Sequence, residues 1–139
     1  MKNLLIALLL TSLLISCQKP KVNDAKSNSA EKSNDEKIQH IVLCWLKDSG
    51  NKEQRQKVID LSLSFKNIPG VIDVRAGEVI KSERSIVDSS YDVGIYMTFK
   101  SIEDLNAYLI HKDHVKAVTE TLKPLSEKIQ VYDFQNFQK

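Results

Sequence analysis

The stretch "IQHIVLCWL", Ile38 to Leu46, limits what this chain can fold into more than any other, because it is rich in β-formers and apolar on both of its alternating faces. Val42, Cys44 and Leu46 fall on one side of such a strand and Ile41, Leu43 and Trp45 on the other, since successive side chains point to opposite faces. A strand of that kind has to be covered twice.

The residues that follow supply one of the two covers. Residues 53–68 place Val58, Leu61, Phe65 and Ile68 on one helical stripe, and Pro69-Gly70 ends the helix. Two strands come next, at residues 71–80 ("VIDVRAGEVI") and 91–99 ("YDVGIYMTF"), joined by the polar loop "KSERSIVDSS", and adjacent strands so connected are expected to pair antiparallel. Ser101, three residues before Asp104, is placed to cap a helix that carries Leu105, Tyr108 and Leu109 inward. The helical pattern resumes after His114 with Val115, Val118, Leu122 and Leu125, with a cost or a kink expected at Pro124, which has no amide proton to give an interior turn. "IQVYDF", residues 129–134, reads as the fourth strand.

The order βαββαβ predicts an α+β fold of the ferredoxin-like kind, a four-stranded antiparallel sheet with helices on one face. The other face, with Ile41, Leu43 and Trp45, still lacks a cover and is too apolar to be left in water. A second copy packed sheet to sheet is the simplest one, so a homodimer is expected. A different protein or a lipid is the rival.

At 139 residues there is room for one such domain. Its 20 basic and 18 acidic residues nearly cancel to +2, which leaves no clustered basic face for nucleic acid. Met1-Lys2-Asn3 and the apolar run from Leu4 to Ile15 are too short to span a bilayer and fit the core of an export signal. The run ends in "LISCQ", Leu14 to Gln18, which resembles the lipobox of bacterial lipoproteins. That resemblance implies a signal peptide over residues 1–16, acylation of Cys17 with a palmitate-type lipid, and a membrane-tethered envelope protein. Gln18, where an aspartate would favour the inner membrane, points to the outer membrane facing the periplasm. An ordinary cysteine in an uncleaved anchor is the alternative.

Residues 18–37 hold one branched aliphatic side chain and no aromatic, too little to offset the entropy of ordering. Residues 17–37 therefore read as the acylated cysteine and a linker, with an end-to-end distance of about 25 Å, and residues 38–137 as the domain. With Cys17 acylated, Cys44 is the remaining thiol and no internal disulfide forms. In its apolar strand it is a small buried hydrophobe by default and a nucleophile only by exception.

"AYLIHKDHVKAV", residues 107–118, holds two of the three histidines. Three readings of Tyr108, His111 and His114 stand side by side: a reaction centre, a metal site, or a packed helix in which buried rings satisfy their polar atoms on the backbone. Zinc in a catalytic site takes three protein ligands, and only Asp113 and His40 are available to complete a set, so no metal is expected. As a reaction centre, His114 is the natural base near neutral pH and Tyr108 a donor to a developing oxyanion. His40 shares the Val42, Cys44 and Leu46 face, so all three line one cavity if the helices cover that face.

The segments "IQHIVLCWLKD", "IPGVIDVRAGEVIKSERS", "YDVGIYMTFKSIEDLNAYLIHKDHVKAV" and "LKPLSEKIQVYDF" resemble the successive motifs of the stress-responsive A/B barrel (Dabb) family. The resemblance implies a homodimer whose two sheets close into a dimeric α/β barrel. The best understood chemistry in the family is cyclisation of a linear polyketide by intramolecular aldol condensation, with no cofactor. There a tyrosine and a histidine spaced as Tyr108 and His114 act on the substrate, and a histidine early in the first strand corresponds to His40. His111 is a weaker ligand-binding candidate. The wider superfamily also includes cofactor-free monooxygenases and heme-degrading enzymes, although no heme or flavin motif is present here. The chain departs from the common His-Pro-x-His form in having Lys112 where proline is usual.

Two functions follow. One is a domain that binds or transforms a small apolar carbonyl or aromatic compound in a sheet-helix pocket, with cyclase-, lyase- or monooxygenase-like chemistry if it is an enzyme. The other is a non-catalytic dimeric scaffold or stress-response interaction protein.

Overall fold

The computed structural model describes residues 37–136. The expected export signal, Cys17, the expected linker up to residue 36, and Phe137 lie outside those residues. Four strands and four short helices follow one another as β1 (Ile38–Leu46), α1 (Lys52–Ser64), β2 (Val71–Glu78), β3 (Val93–Phe99), α2 (Ile102–Leu109), α3 (Lys112–Ala117), α4 (Lys123–Leu125) and β4 (Ser126–Gln135). The sheet order is β2-β3-β1-β4 with every neighbour antiparallel. This is the ferredoxin-like arrangement that the strand and helix order predicts.

Register decides which side chains share a face. His40, Val42 and Cys44 stand opposite Met97, Ile95 and Val93 of β3, and the same three stand opposite Asp133, Val131 and Ile129 of β4. The helices cover this face, and Val58, Phe65, Ile68, Leu105 and Tyr108 complete its buried core. On the reverse face Ile41 pairs with Tyr96 and with Tyr132, and Gln39 with Phe134. Tyr132 and Phe134 are about half exposed there, and Ile41, Leu43 and Trp45 are only half-buried.

Element ends differ from the sequence expectation for identifiable reasons. The first helix stops at Ser64, and residues 65–67 tighten into a 3-10 turn closed by the Ile68 amide on the Phe65 carbonyl at 2.9 Å. Ile68 precedes proline and is extended (ψ 130°), as the clash with the proline ring requires. Gly70 then adopts φ +89°, and a Cβ there would stand 3.0 Å from Asp104 Cβ, so both backbone and space call for glycine.

β3 begins at Val93, not at residue 91, because Asp92 is used differently. Its amide bonds the Cys44 carbonyl at 2.9 Å, and its carboxylate accepts from Leu46 N (2.9 Å), Gly50 N (2.9 Å) and Ser49 Oγ (3.0 Å). Burial alone would raise the Asp92 pKa. These hydrogen bonds and the charge of Arg55 outweigh it and hold the carboxyl below its ordinary value, so the turn after β1 is clasped by an ionised group.

In the last third, Ser101 caps α2 by accepting from the Asp104 amide at 3.3 Å. The next helix starts at Lys112, ahead of His114, because His111 is itself a cap: its Nδ1 accepts from the Asp113 amide at 3.3 Å. Lys112 thus replaces the usual proline without loss of the helix break. The cost at Pro124 is met by a π-helical turn over Val118–Leu122, closed by the Lys123 amide on the Val118 carbonyl. Pro124 then falls in the first turn of α4, where no intrahelical bond needs its nitrogen.

Candidate functional site

A cavity of about 250 Å³ lies between the sheet and the end of the helical layer, walled by His40, Tyr108, His114 and Lys123 among apolar side chains that include Val42, Phe65, Met97 and Val118. The structure therefore brings His40, Tyr108 and His114 together, as expected if the helices cover that strand face. It does not bring His111 to the same wall. A larger hollow of about 310 Å³ opens on the other side of Phe65, and Asp113, Lys116 and Glu120 give it charged walls. The smaller, apolar one holds the candidate chemistry.

Tyr108 sits in the last turn of α2 and His114 in the first turn of α3, and the break between the helices folds the two rings to a centroid distance of 4.3 Å. Six residues of unbroken helix would put them nearly two turns apart; the break at Ile110 and His111 removes that separation. Phe65 meets each ring edge to face at 5.8 Å, and His40 meets Tyr108 in the same manner at 6.0 Å.

His114 has a defined tautomer. Its Nδ1 lies 2.9 Å from the Leu109 carbonyl, one of the last carbonyls of α2 and so without an intrahelical partner. A carbonyl can only accept, so Nδ1 carries the hydrogen and Nε2 keeps its lone pair in the neutral ring. Burial pushes the His114 pKa below the ordinary imidazole value; the Leu109 bond opposes this, while the nearby His40 and His111 reinforce it. At neutral pH the ring is a free base.

Tyr108 is buried, and burial raises its phenol well above the usual range, so it remains a donor. Among the described residues its hydroxyl forms no hydrogen bond with the protein, unlike a tyrosine kept for packing, which finds a backbone partner. His40 is tied differently. Its Nδ1 lies 2.6 Å from Asp133 Oδ1, across the β1–β4 ladder where the two residues are directly opposite. The carboxylate accepts from Nδ1–H, which leaves Nε2 as the acceptor of the neutral ring.

Asp133 and Lys123 were not singled out from the sequence. The signal for Asp133 was present in "IQVYDF", where Ile129, Val131 and Asp133 alternate onto one face and the last is acidic; what was missing was the register that sets it opposite His40. Lys123 reaches the cavity through the π-helical turn, and no sequence signal marked that turn beyond Pro124. Cys44 is wholly buried, and burial pushes its thiol up to about 11, so it is a core residue and not a nucleophile.

Among the described residues no three His, Cys, Asp or Glu side chains are grouped to hold a metal ion. His111 Nδ1 serves the Asp113 amide and His114 Nδ1 the Leu109 carbonyl, so the two histidines have separate tasks.

A four-stranded antiparallel sheet with its helices on one face, and a tyrosine-histidine pair on the cavity between them, define an α+β domain of the ferredoxin-like kind. The model of the stress responsive A/B barrel domain (Dabb) matches residues 38–136, and the chain belongs to that family. Olivetolic acid cyclase of Cannabis sativa is 24% identical over 98 residues, which are 70% of this chain and 94% of that protein. Hydroxynitrile lyase from Passiflora edulis superposes with a TM-score of 0.65 at 20% identity, over 76% of this chain and 97% of the other. A dimeric ferredoxin-like protein of unknown function from Thermobifida fusca superposes with a TM-score of 0.59 at 20% identity, over 73% and 92%.

Proposed function

We propose that the domain binds a small apolar carbonyl or aromatic compound in the 250 Å³ cavity and acts on it with His114 as base and Tyr108 as hydrogen-bond donor. The observation that carries this reading is the His114 ring, tied through Nδ1 to the Leu109 carbonyl and held against the Tyr108 phenol, which has no hydrogen-bond partner among the described residues, on the cavity wall. His114 Nε2 takes the proton from the carbon next to a carbonyl. The C–H electron pair moves into the enolate, whose oxygen accepts from the Tyr108 hydroxyl. The enolate carbon then attacks a second carbonyl, and the alkoxide so formed recovers the proton from His114. His40, oriented by Asp133, is a second polar contact for the ligand. That two similar proteins are named as a cyclase and a lyase supports reading the cavity as a reaction site over a scaffold without chemistry.

The reading extends to assembly and place. The half-exposed Tyr132 and Phe134 beside Ile41 favour a second copy packed on the open face, as in a dimeric barrel, and the similar Thermobifida fusca protein, itself dimeric, supports it. The lipobox-like "LISCQ" supports acylation at Cys17 and a periplasm-facing outer-membrane tether. Cys17→Ser is expected to abolish labelling by a palmitate analogue and release the protein from the membrane fraction.

The site reading is tested by native mass spectrometry of the compact unit Ser33–Lys139. That unit stands alone because it contains the whole core and because the matched cyclase is almost entirely this domain. A small molecule retained by the wild type and lost in His114→Ala and Tyr108→Phe supports the pocket. An empty dimer whose variants only melt earlier favours the scaffold.

A further inference from the structure

Lys123 is the one cationic side chain fixed by chemistry on the cavity wall, which carries no aspartate or glutamate. It is exposed, at the start of α4. Among the described residues its ammonium has no carboxylate partner: the described ion pairs of lysine and arginine join Arg55 to Glu78 and Arg75 to Asp73. Asp133, the acidic residue beside His40, is not on the wall and is engaged by that histidine. The remaining wall is apolar apart from His40, Tyr108 and His114. A lysine stem can lie along such a surface while its charge stays in water at the rim.

We infer that the ligand of this cavity has an apolar body and a carboxylate head, with Lys123 receiving the carboxylate at the mouth. This rests on the pocket reading proposed above and adds the charge of the ligand to it. A cationic ligand would meet the Lys123 ammonium with no acidic group on the wall to offset it, and a neutral one would leave that ammonium unused. At ~30 Å³ per non-hydrogen atom, the share of a water molecule in the liquid, a volume of about 250 Å³ holds about eight such atoms. A chain of roughly six to eight carbons therefore fills the cavity and places a terminal carboxylate outside it, on the side of Lys123.

The test is an NMR chemical-shift titration of Ser33–Lys139 with octanoate, 1-octanol and octylamine, which share one apolar chain. Octanoate is expected to bind about fivefold tighter than octanol at low salt, the size appropriate to an exposed ion pair. That advantage should shrink as salt is added, vanish in Lys123→Met and return in Lys123→Arg, while octanol affinity stays the same throughout. Equal affinities for octanoate and octanol in the wild type, or an octanoate advantage that survives Lys123→Met, overturn the carboxylate head and leave the pocket standing. Octylamine is expected to bind more weakly than octanol, and octylamine as tight as octanoate also overturns the carboxylate head; if none of the three probes shifts the cavity residues, the pocket reading fails and takes this inference with it.

Discussion

The rings of Tyr108 and His114 lie 4.3 Å apart and tilted by 45°, although an unbroken helix would separate the residues by about 9 Å along its axis. The approach depends on the helix break, where His111 caps α3 and His114 turns back to the Leu109 carbonyl. One nitrogen of the base is thereby used for structure and the other is left for chemistry.

Tyr108→Phe removes only a hydroxyl that has no protein partner among the described residues. Stability should change by less than about 1 kcal/mol, while turnover of a carbonyl substrate, once one is identified, falls by about a hundredfold or more. Thermal unfolding and single-turnover kinetics separate the two effects. A large loss of stability with activity intact would assign the residue to packing.

Because the folded state holds His114 below the ordinary imidazole value, protons bind the unfolded chain more readily there. Its contribution to stability is complete above about pH 6.5 and declines as the pH falls through the lowered folded value. Urea unfolding between pH 7.5 and pH 5 should show this loss, and His114→Gln should flatten it. Activity that depends on the free base is lost over the same acid range.

Asp133→Asn leaves the shape of the β4 edge and removes the carboxylate that accepts from His40 Nδ1. With Asp133 nearly half exposed, the stability cost is expected to stay below about 1 kcal/mol. The His40 tautomer should become mixed in nitrogen-detected NMR, because an amide can either donate or accept. An unchanged single tautomer would show that the carboxylate is not what orients the ring.

Asp92→Asn should cost about 2 kcal/mol, since the new amide group must turn a donor toward Leu46 N or Gly50 N. In the wild type the lowered Asp92 carboxyl contributes stability above about pH 4 that disappears as the pH drops through the folded value. Denaturant midpoints at pH 3 to 6 compare the two proteins; the variant should show the smaller acid loss.

Ile41→Asp places a charge at the centre of the open face, between Tyr96 and Tyr132. If a second copy covers that face, light scattering should report monomers for this variant and dimers for the wild type, because an unpaired buried charge costs several kcal/mol. A monomeric wild type would remove the dimer from the proposal.

How far the sequence reaches is clearest from where it stops. Hydrophobic period and turn residues were enough for the four strands, the helical segments between them and the division of β1 into two apolar faces, because alternation and the three-to-four spacing are local properties; which of those faces meets the helices was left to the packing. His40, Tyr108 and His114 were recognisable as residue types in a familiar order. The element ends moved where a side chain competed with the backbone pattern, as Asp92, His111 and Pro124 did. The partners of the site were beyond reach for a different reason. Asp133 and His40 are 93 residues apart in the chain and meet only once β4 has taken its register on β1, and Lys123 reaches the cavity through a π-helical turn. Local chemistry thus determined what the chain carries and roughly what it folds into. Which groups touch, which nitrogen stays free and which cation stands at the cavity mouth were decided by tertiary structure, because they depend on distances that exist only when remote segments pack.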